Sequence, residues 1–199
     1  MVETSSSTKT PSQLAPTRNF HISPIIRITL LTLYIALTLP LPVLASVTEA
    51  PVSSNVLRVG VVLGGVLLYG ALSEQVVVNQ TGISVQYPAW IRWLLRRKWS
   101  LDWQNITALK PRTTGQGGIV YYFTSPAADK AFLLPMRIAG FAELLRYVET
   151  YTDIDTRDVK PLAQPWMYVI LLALSLFLLL VDVWALWTAF HLPPGALNS

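Results

Sequence analysis

The sequence predicts an α+β membrane protein: three transmembrane helices and one small antiparallel β domain closed by an amphipathic helix. Hydrophobic residues make up 52% of the 199 residues and charged residues only 13%, whereas soluble domains carry about 25% charged residues. The mean hydropathy of +0.46 agrees. Three long apolar runs stand out, and a stretch with short β-type runs and turn signals separates the second from the third. This spacing predicts the order of the elements.

The first apolar run predicts transmembrane helix 1 over residues 25–45, close to the roughly 20 residues needed to cross a bilayer. Pro40 and Pro42 are expected to kink or end this helix near its far side. A cleaved signal peptide is the alternative, because a basic stretch precedes the run and Val43-Leu44-Ala45 could be a cleavage site. The length of the run and the second apolar segment behind it favour a retained anchor.

Transmembrane helix 2 is predicted over residues 52–73. Its apolar core is short for a span, so Arg58 is expected to extend its charged end to the far interface. Gly60 and Gly64 form a GxxxG motif, which lets two helix backbones approach closely. We therefore predict a helix-packing contact at these two glycines.

Transmembrane helix 3 is predicted over residues 166–188, with tryptophans near both ends as in the aromatic belts of spanning helices. Asp182 is a charge inside this run and lies about 24 Å along the helix from Trp166. Arg58 lies about 21 Å from Leu72, so both charges are expected near the far interface, where they could pair. A proton pathway through Asp182 is the less favoured alternative, since such acids usually have polar neighbours.

Lysine and arginine residues predict the topology. They occur in residues 1–24 and in residues 74–160, whereas the loop between helices 1 and 2 and the tail 189–199 carry almost none. The positive-inside rule therefore places the N-terminus and the middle domain in the cytoplasm or its plastid equivalent, and the C-terminal tail on the opposite side. Residues 1–24 are rich in Ser, Thr and Pro and are predicted to be a disordered tail.

The middle domain, residues 74–160, contains short β-type runs separated by turn residues. These runs are 75–78, 83–87, 99–103, 106–109, 119–124 and 131–134. An amphipathic helix follows, because the apolar residues between Ile138 and Val148 recur at spacings of three and four. Several antiparallel strands closed by one helix predict a pleckstrin-homology (PH)-like architecture in outline.

Two runs in this domain carry a resemblance to a known group of proteins. Thr81–Val85 and Arg96–Leu109 contain a Gly-Ile strand, a basic strand and an Ile-x-x-Leu strand in that order. This order resembles bacterial membrane-anchored PH-like domains. With two membrane helices ahead of it, the chain also resembles the photosystem I assembly proteins of cyanobacteria and plastids, and equally the thylakoid assembly factors of the cytochrome b6f complex. The resemblance implies a thylakoid assembly factor whose partners are subunits of a photosynthetic complex.

The sharpest local feature is the basic and aromatic segment 88–98. Its predicted lipid- or partner-docking residues are Trp90, Arg92, Trp93, Arg96, Arg97 and Lys98. Tryptophan prefers the headgroup region of a bilayer, and each cation near an anionic leaflet contributes about 1 kcal/mol. The alternative is that the tryptophans belong to the domain core and the cations form an ordinary solvated face.

Catalytic chemistry is not expected. The chain has no cysteine, two histidines near opposite ends, and no phosphate-binding, nucleophile-elbow or zinc-protease motif. We predict no catalytic residue, metal site or cofactor, and no nucleic-acid partner. The predicted function is a non-catalytic membrane scaffold or assembly factor that contacts membrane lipids and subunits of a membrane complex. A lipid-sensing or adaptor module acting through segment 88–98 is the alternative.

Overall fold

The computed structural model describes residues 15–47, 51–94, 98–115, 118–125, 128–159 and 165–191. The chain divides into two compact units. The β unit comprises residues 1–21, 75–86 and 96–162, and the helical unit comprises 22–74, 87–95 and 163–199. The chain therefore crosses from one unit to the other five times.

Within the described residues, the β unit contains seven strands in two antiparallel sheets. The first sheet has the order β1 (Thr17–His21), β2 (Gln75–Asn79), β3 (Gly82–Gln86) and β4 (Trp99–Asp102). The second sheet has the order β5 (Ala108–Thr113), β6 (Ile119–Ser125) and β7 (Ala128–Leu133). The predicted strands are confirmed with shifts of a few residues. The largest shift is at β5, which ends four residues later than predicted, and Trp103 leaves β4 and starts a 3-10 turn.

The turn between β2 and β3 depends on the side chain of Asn79. Its Oδ1 accepts hydrogen bonds from the backbone N–H groups of Thr81 (3.0 Å) and Gly82 (2.8 Å), a local pairing that asparagine favours in turns. The Trp103 indole N–H donates to the Asn79 carbonyl oxygen at 2.8 Å. The Asn79 side chain and backbone therefore close the turn that joins β2 to β3.

The prediction of a disordered tail over residues 1–24 is wrong for β1. Phe20 pairs with Val76 of β2, is only 4% exposed, and its ring meets that of Tyr147 edge-on at 6.3 Å. Burial of this aromatic ring and pairing with the free edge of β2 offset the entropy lost on ordering the strand. Residues 1–14 lie outside the described residues.

Helix α4 (Phe141–Tyr151) closes the β unit, as the apolar spacing predicts. Gly140 precedes it with φ of +81°, a left-handed conformation that glycine adopts without steric cost. Leu144, Tyr147 and Val148 are fully buried in a core shared with both sheets. Tyr151 stacks on Trp103 with 5.7 Å between ring centroids.

The helical unit contains α1 (Pro24–Thr38), α2 (Leu41–Val47), α3 (Ser54–Ala71) and α5 (Pro165–His191). Three stretches are long and apolar enough to span a membrane: Pro24–Ser46, Ser54–Ala71 and Trp166–Thr188. They match the three predicted runs. The helix breaks at Leu39–Pro40, as expected for a proline that lacks an N–H group. Residues 192–199 of the predicted tail lie outside the described residues.

Three hydrogen bonds show which ends of these helices lie together. The Arg27 guanidinium donates to the Leu72 carbonyl at 3.1 Å, joining the start of α1 to the end of α3. The Tyr34 hydroxyl donates to the carbonyl of Val61 on α3 at 2.7 Å. Thr29 Oγ1 donates to the carbonyl of Tyr168 near the start of α5 at 3.2 Å. The start of α1, the end of α3 and the start of α5 therefore lie together, at what we call the Pro24 end.

Candidate interfacial site

The predicted docking segment 88–98 is divided between the two units. Residues 87–95 belong to the helical unit, whereas the residues from Arg96 onward belong to the β unit. Arg96 and Arg97 lie outside the described residues, and Lys98 is exposed just before β4. Of the six predicted docking residues, Trp90, Arg92 and Trp93 therefore lie in the helical unit and Lys98 lies in the β unit.

Residues 87–94, here called the interfacial segment, pack on the last turn of α3. The Ile91 side chain is 2% exposed and fills the space beside Gly70, where an added Cβ would collide with it. The Trp90 ring stacks on Tyr69 with 6.4 Å between centroids and 20° between planes. The absence of a side chain at Gly70 therefore permits the close approach that fixes this segment to the helix end.

The other side of the interfacial segment is open. Trp93 is 73% exposed, and Trp90, Leu94 and Arg92 are also exposed. The Trp93 indole N–H donates to the Trp90 carbonyl oxygen at 3.0 Å, which holds the ring against its own turn. The structure thus places neither tryptophan in the core of the β unit. A docking role for them stays a prediction.

No sequence motif marks Arg27 as part of a site, although it is the charge within the first apolar run. Its guanidinium hydrogen-bonds Leu72 O and lies 5.7 Å from the centroid of the Tyr69 ring. A cation is favoured at this position because the carbonyl groups at the end of a helix carry partial negative charge. Its Nε is buried without a hydrogen-bond partner. Arg27, Tyr69 and Trp90 therefore form a cation–aromatic cluster at the Pro24 end.

The predicted contact at Gly60 and Gly64 is found at one glycine of the two. An added Cβ at Gly64 would collide with the Tyr34 hydroxyl, whereas one at Gly60 would meet no atom within 4 Å. Gly65 lies against the same tyrosine ring. The close contact on α3 is made to an aromatic side chain of α1, so the expectation of paired backbones at Gly60 is corrected.

The predicted Arg58–Asp182 pair is not formed. Arg58 Nη2 donates to Ser54 Oγ at 3.4 Å, and Asp182 Oδ2 is buried without a hydrogen-bond partner. Helix α5 packs chiefly against α1, and α3 packs against α1 and α2. Similar depth in the sequence therefore does not bring these two charges onto facing surfaces.

Among the described residues, three groups of the β unit have displaced pKa values: Tyr147, Asp155 and Arg157, whose pKa is raised by its hydrogen bonds to Asp155. Hydrogen bonds from Arg157 lower the pKa of the Asp155 carboxyl to about 2, and both side chains lie at the surface. Burial, reinforced by the Glu143 carboxylate, raises the pKa of Tyr147, whose hydroxyl donates to the Ala15 carbonyl at 3.0 Å. Both arrangements stabilise local structure. Among the described residues, no group of three or more metal-binding side chains converges.

Comparison with known proteins gives one informative match. No protein-family model matches the chain, and no solved structure matches it. A protein of the cyanobacterium Synechocystis sp., described as "Uncharacterized protein slr0269", is 51% identical over 181 residues, which cover 89% of each chain. The chain therefore belongs to the family of this cyanobacterial protein.

Proposed function

We propose that this chain is a non-catalytic integral membrane protein that holds subunits of a membrane complex during assembly. In this proposal the three apolar helices span the membrane, and the β unit offers the surface on which partners dock. The N-terminus and the β unit face the cytoplasm, as the distribution of lysine and arginine indicates.

The observation that carries the proposal is the connectivity of the first sheet. Strand β1 precedes the first two membrane-length helices and β2 follows them, yet the two strands pair over five residues. The sheet is complete only when chain segments from both sides of these helices meet. A β unit built this way remains attached to the membrane, which suits a fixed platform better than a module recruited by a signal.

The architecture of the β unit supports a PH-like domain. A four-stranded sheet, a three-stranded sheet and the closing helix α4 share one core, as the PH-like hypothesis requires. The cyanobacterial relative is compatible with a thylakoid location. A photosynthetic complex is therefore the first partner to test.

The lipid-sensing alternative is favoured by one specific observation. The interfacial segment is fixed to the end of α3 and leaves Trp93 and Leu94 exposed. Aromatic side chains at this position are typical of the membrane–water interface. This alternative predicts that the chain purifies with lipid and without a protein partner.

An experiment in Synechocystis separates the two functions. We would replace the relative by a tagged copy of this chain, wash the membranes with alkaline carbonate, and analyse the detergent extract by affinity purification. We expect the chain to resist the wash and to co-purify with subunits of a pigment-bearing complex. Loss of these subunits with Phe123→Ala, which removes a fully buried core ring of the β unit, would assign docking to that unit when the amount of carbonate-resistant chain is unchanged.

Extraction of the chain by carbonate would contradict the membrane proposal. Purification of a membrane-inserted chain with lipids alone would instead support the alternative function.

A further inference from the structure

The charge of Arg27 is not balanced by any acidic side chain that the structure describes. The ion pairs within the described residues are Arg18–Glu143 and Arg157–Asp155. Arg27 has one backbone acceptor and the face of Tyr69, and its buried Nε has no acceptor. One hydrogen bond leaves most of the five donors of a guanidinium without a protein acceptor.

The position of Arg27 in α1 restricts what can supply the missing negative charge. The residue lies three positions after Pro24, or about 4.5 Å into the helix at 1.5 Å per residue. If α1 spans a membrane, this depth is close to the boundary between headgroups and acyl chains. Phosphate groups of lipids are the abundant anions at that depth, and a guanidinium binds phosphate through two parallel hydrogen bonds.

We infer that the Pro24 end of the helical unit binds one anionic phospholipid, with its phosphate on Arg27. The inference rests on the proposed membrane insertion. Exposed apolar residues on the same two helices, Ile28 on α1 and Val66 on α3, offer surface to the acyl chains. The stacked rings of Tyr69 and Trp90 form an aromatic wall at headgroup level.

A net negative lipid fits this site better than a zwitterionic one. Arg92 is exposed on the interfacial segment, so it adds a second cation to the same end of the helical unit. The positively charged ammonium group of a zwitterionic headgroup would be repelled by these cations. The glycerol of phosphatidylglycerol is uncharged and would not be repelled. We therefore expect phosphatidylglycerol to bind more tightly than phosphatidylcholine.

The test uses the full chain, purified in a mild detergent and analysed by native mass spectrometry with added phosphatidylglycerol, phosphatidylcholine or inorganic phosphate. The unchanged chain should retain one phosphatidylglycerol in preference to phosphatidylcholine. Arg27→Gln should weaken this binding about tenfold or more, since hydrogen bonds to charged groups are among the stronger ones. Arg58→Gln is the matched control, because it removes the same charge from the opposite end of an apolar helix, and it should leave binding unchanged.

Three results would overturn the inference. Equal binding by the unchanged chain and Arg27→Gln would exclude the residue, and equal losses in both arginine variants would indicate diffuse attraction. Competition by inorganic phosphate at the same concentration would indicate a soluble-anion site.

If Arg27→Gln does not fold, Arg27→Lys decides the matter. It keeps the charge but loses the two-pronged geometry, so binding should fall severalfold, and unchanged binding would contradict the inference. A chain that resists carbonate but shows no preference for phosphatidylglycerol refutes the lipid site alone. A chain that carbonate extracts refutes the proposed function.

Discussion

The two units differ in the exposure of their tryptophan side chains. The β unit packs its two tryptophans inward: Trp103 is 4% exposed and Trp99 is half-buried against Phe123 and Phe132. The five tryptophans of the helical unit are all exposed: Trp90, Trp93, Trp166, Trp184 and Trp187. The same residue type is therefore buried in one unit and exposed in the other, so composition alone does not predict which apolar side chains are buried. It is the difference expected if water surrounds one unit and lipid surrounds most of the other.

The two units also differ in how their charged side chains are paired. In the β unit, Arg18 meets Glu143 at 3.1 Å at the surface. In the helical unit, Arg27 and Asp182 each keep a buried polar atom without a hydrogen-bond partner. Groups left unpaired in this way are expensive in a membrane and usually have a function.

The largest effect on stability is expected at Phe123, and Phe177 is its exposed counterpart. Phe123→Ala in the β unit should lower the free energy of unfolding by about 3–5 kcal/mol, because it leaves a cavity in a packed core. The ring of Phe123 is 0% exposed, whereas that of Phe177 on α5 is 66% exposed. Phe177→Ala should therefore change stability little, as measured by thermal unfolding of both full-chain variants in the same detergent. Equal losses would show that both rings are packed alike.

A smaller effect is expected from the glycines of α3. Gly64→Ala should cost about 1–3 kcal/mol, because the new methyl group must displace the Tyr34 ring. Gly60→Ala should be neutral or slightly stabilising, since the site is open. Melting temperatures of the two variants test this, and a greater loss at Gly60 would point to a helix contact that this structure lacks.

The ion pair between β1 and α4 should contribute less to the free energy of unfolding. Arg18 and Glu143 have side-chain exposures of 54% and 37%, so Arg18→Gln should cost about 0–1 kcal/mol and the cost should shrink at high salt. Arg146→Gln, on the exposed face of the same helix, is the control. A loss in both variants that does not depend on salt would rule out the pair as the cause.

The smallest effect is a pH dependence at Asp155. Its pKa is lowered from 3.8 to about 2 in the folded chain, so its stabilising contribution is present above pH 3.8 and disappears as the pH falls through about 2. Asp155→Asn should therefore melt slightly below the unchanged chain at pH 6, and the difference should shrink steadily as the pH falls from about 4 to about 2. A difference as large at pH 2 as at pH 6 would assign the effect to another interaction.

Local sequence patterns predicted most helices and strands, but not the contacts between segments that are far apart in the sequence. Alternation and turn residues identified β2 and β3, and Pro40 marked the helix break. Strand β1 was missed because its partner lies beyond two membrane-length helices, and a single buried ring, Phe20, gives little periodic signal. The prediction for the unpaired Asp182 used depth along a helix, which does not say which way a side chain faces.

The candidate site shows the same limit. The sequence predicted a docking role for Trp90 and Trp93, with burial in the core as the alternative, and the structure exposes both side chains. Arg27 was missed because its partners, Leu72 and Tyr69, lie more than forty residues away. Contacts of that range depend on how the helices pack.

We propose above that the helical unit spans a membrane with the β unit on the cytoplasmic side. Because the chain contains no cysteine, a single introduced thiol reports its own location. We would place Ser100→Cys in the β unit and Val52→Cys between α2 and α3, both at exposed positions. Sealed vesicles with the cytoplasmic face outward would then be treated with a membrane-impermeant maleimide. We expect labelling of Ser100→Cys at once and of Val52→Cys only after detergent is added, and equal labelling of both in intact vesicles would contradict this topology.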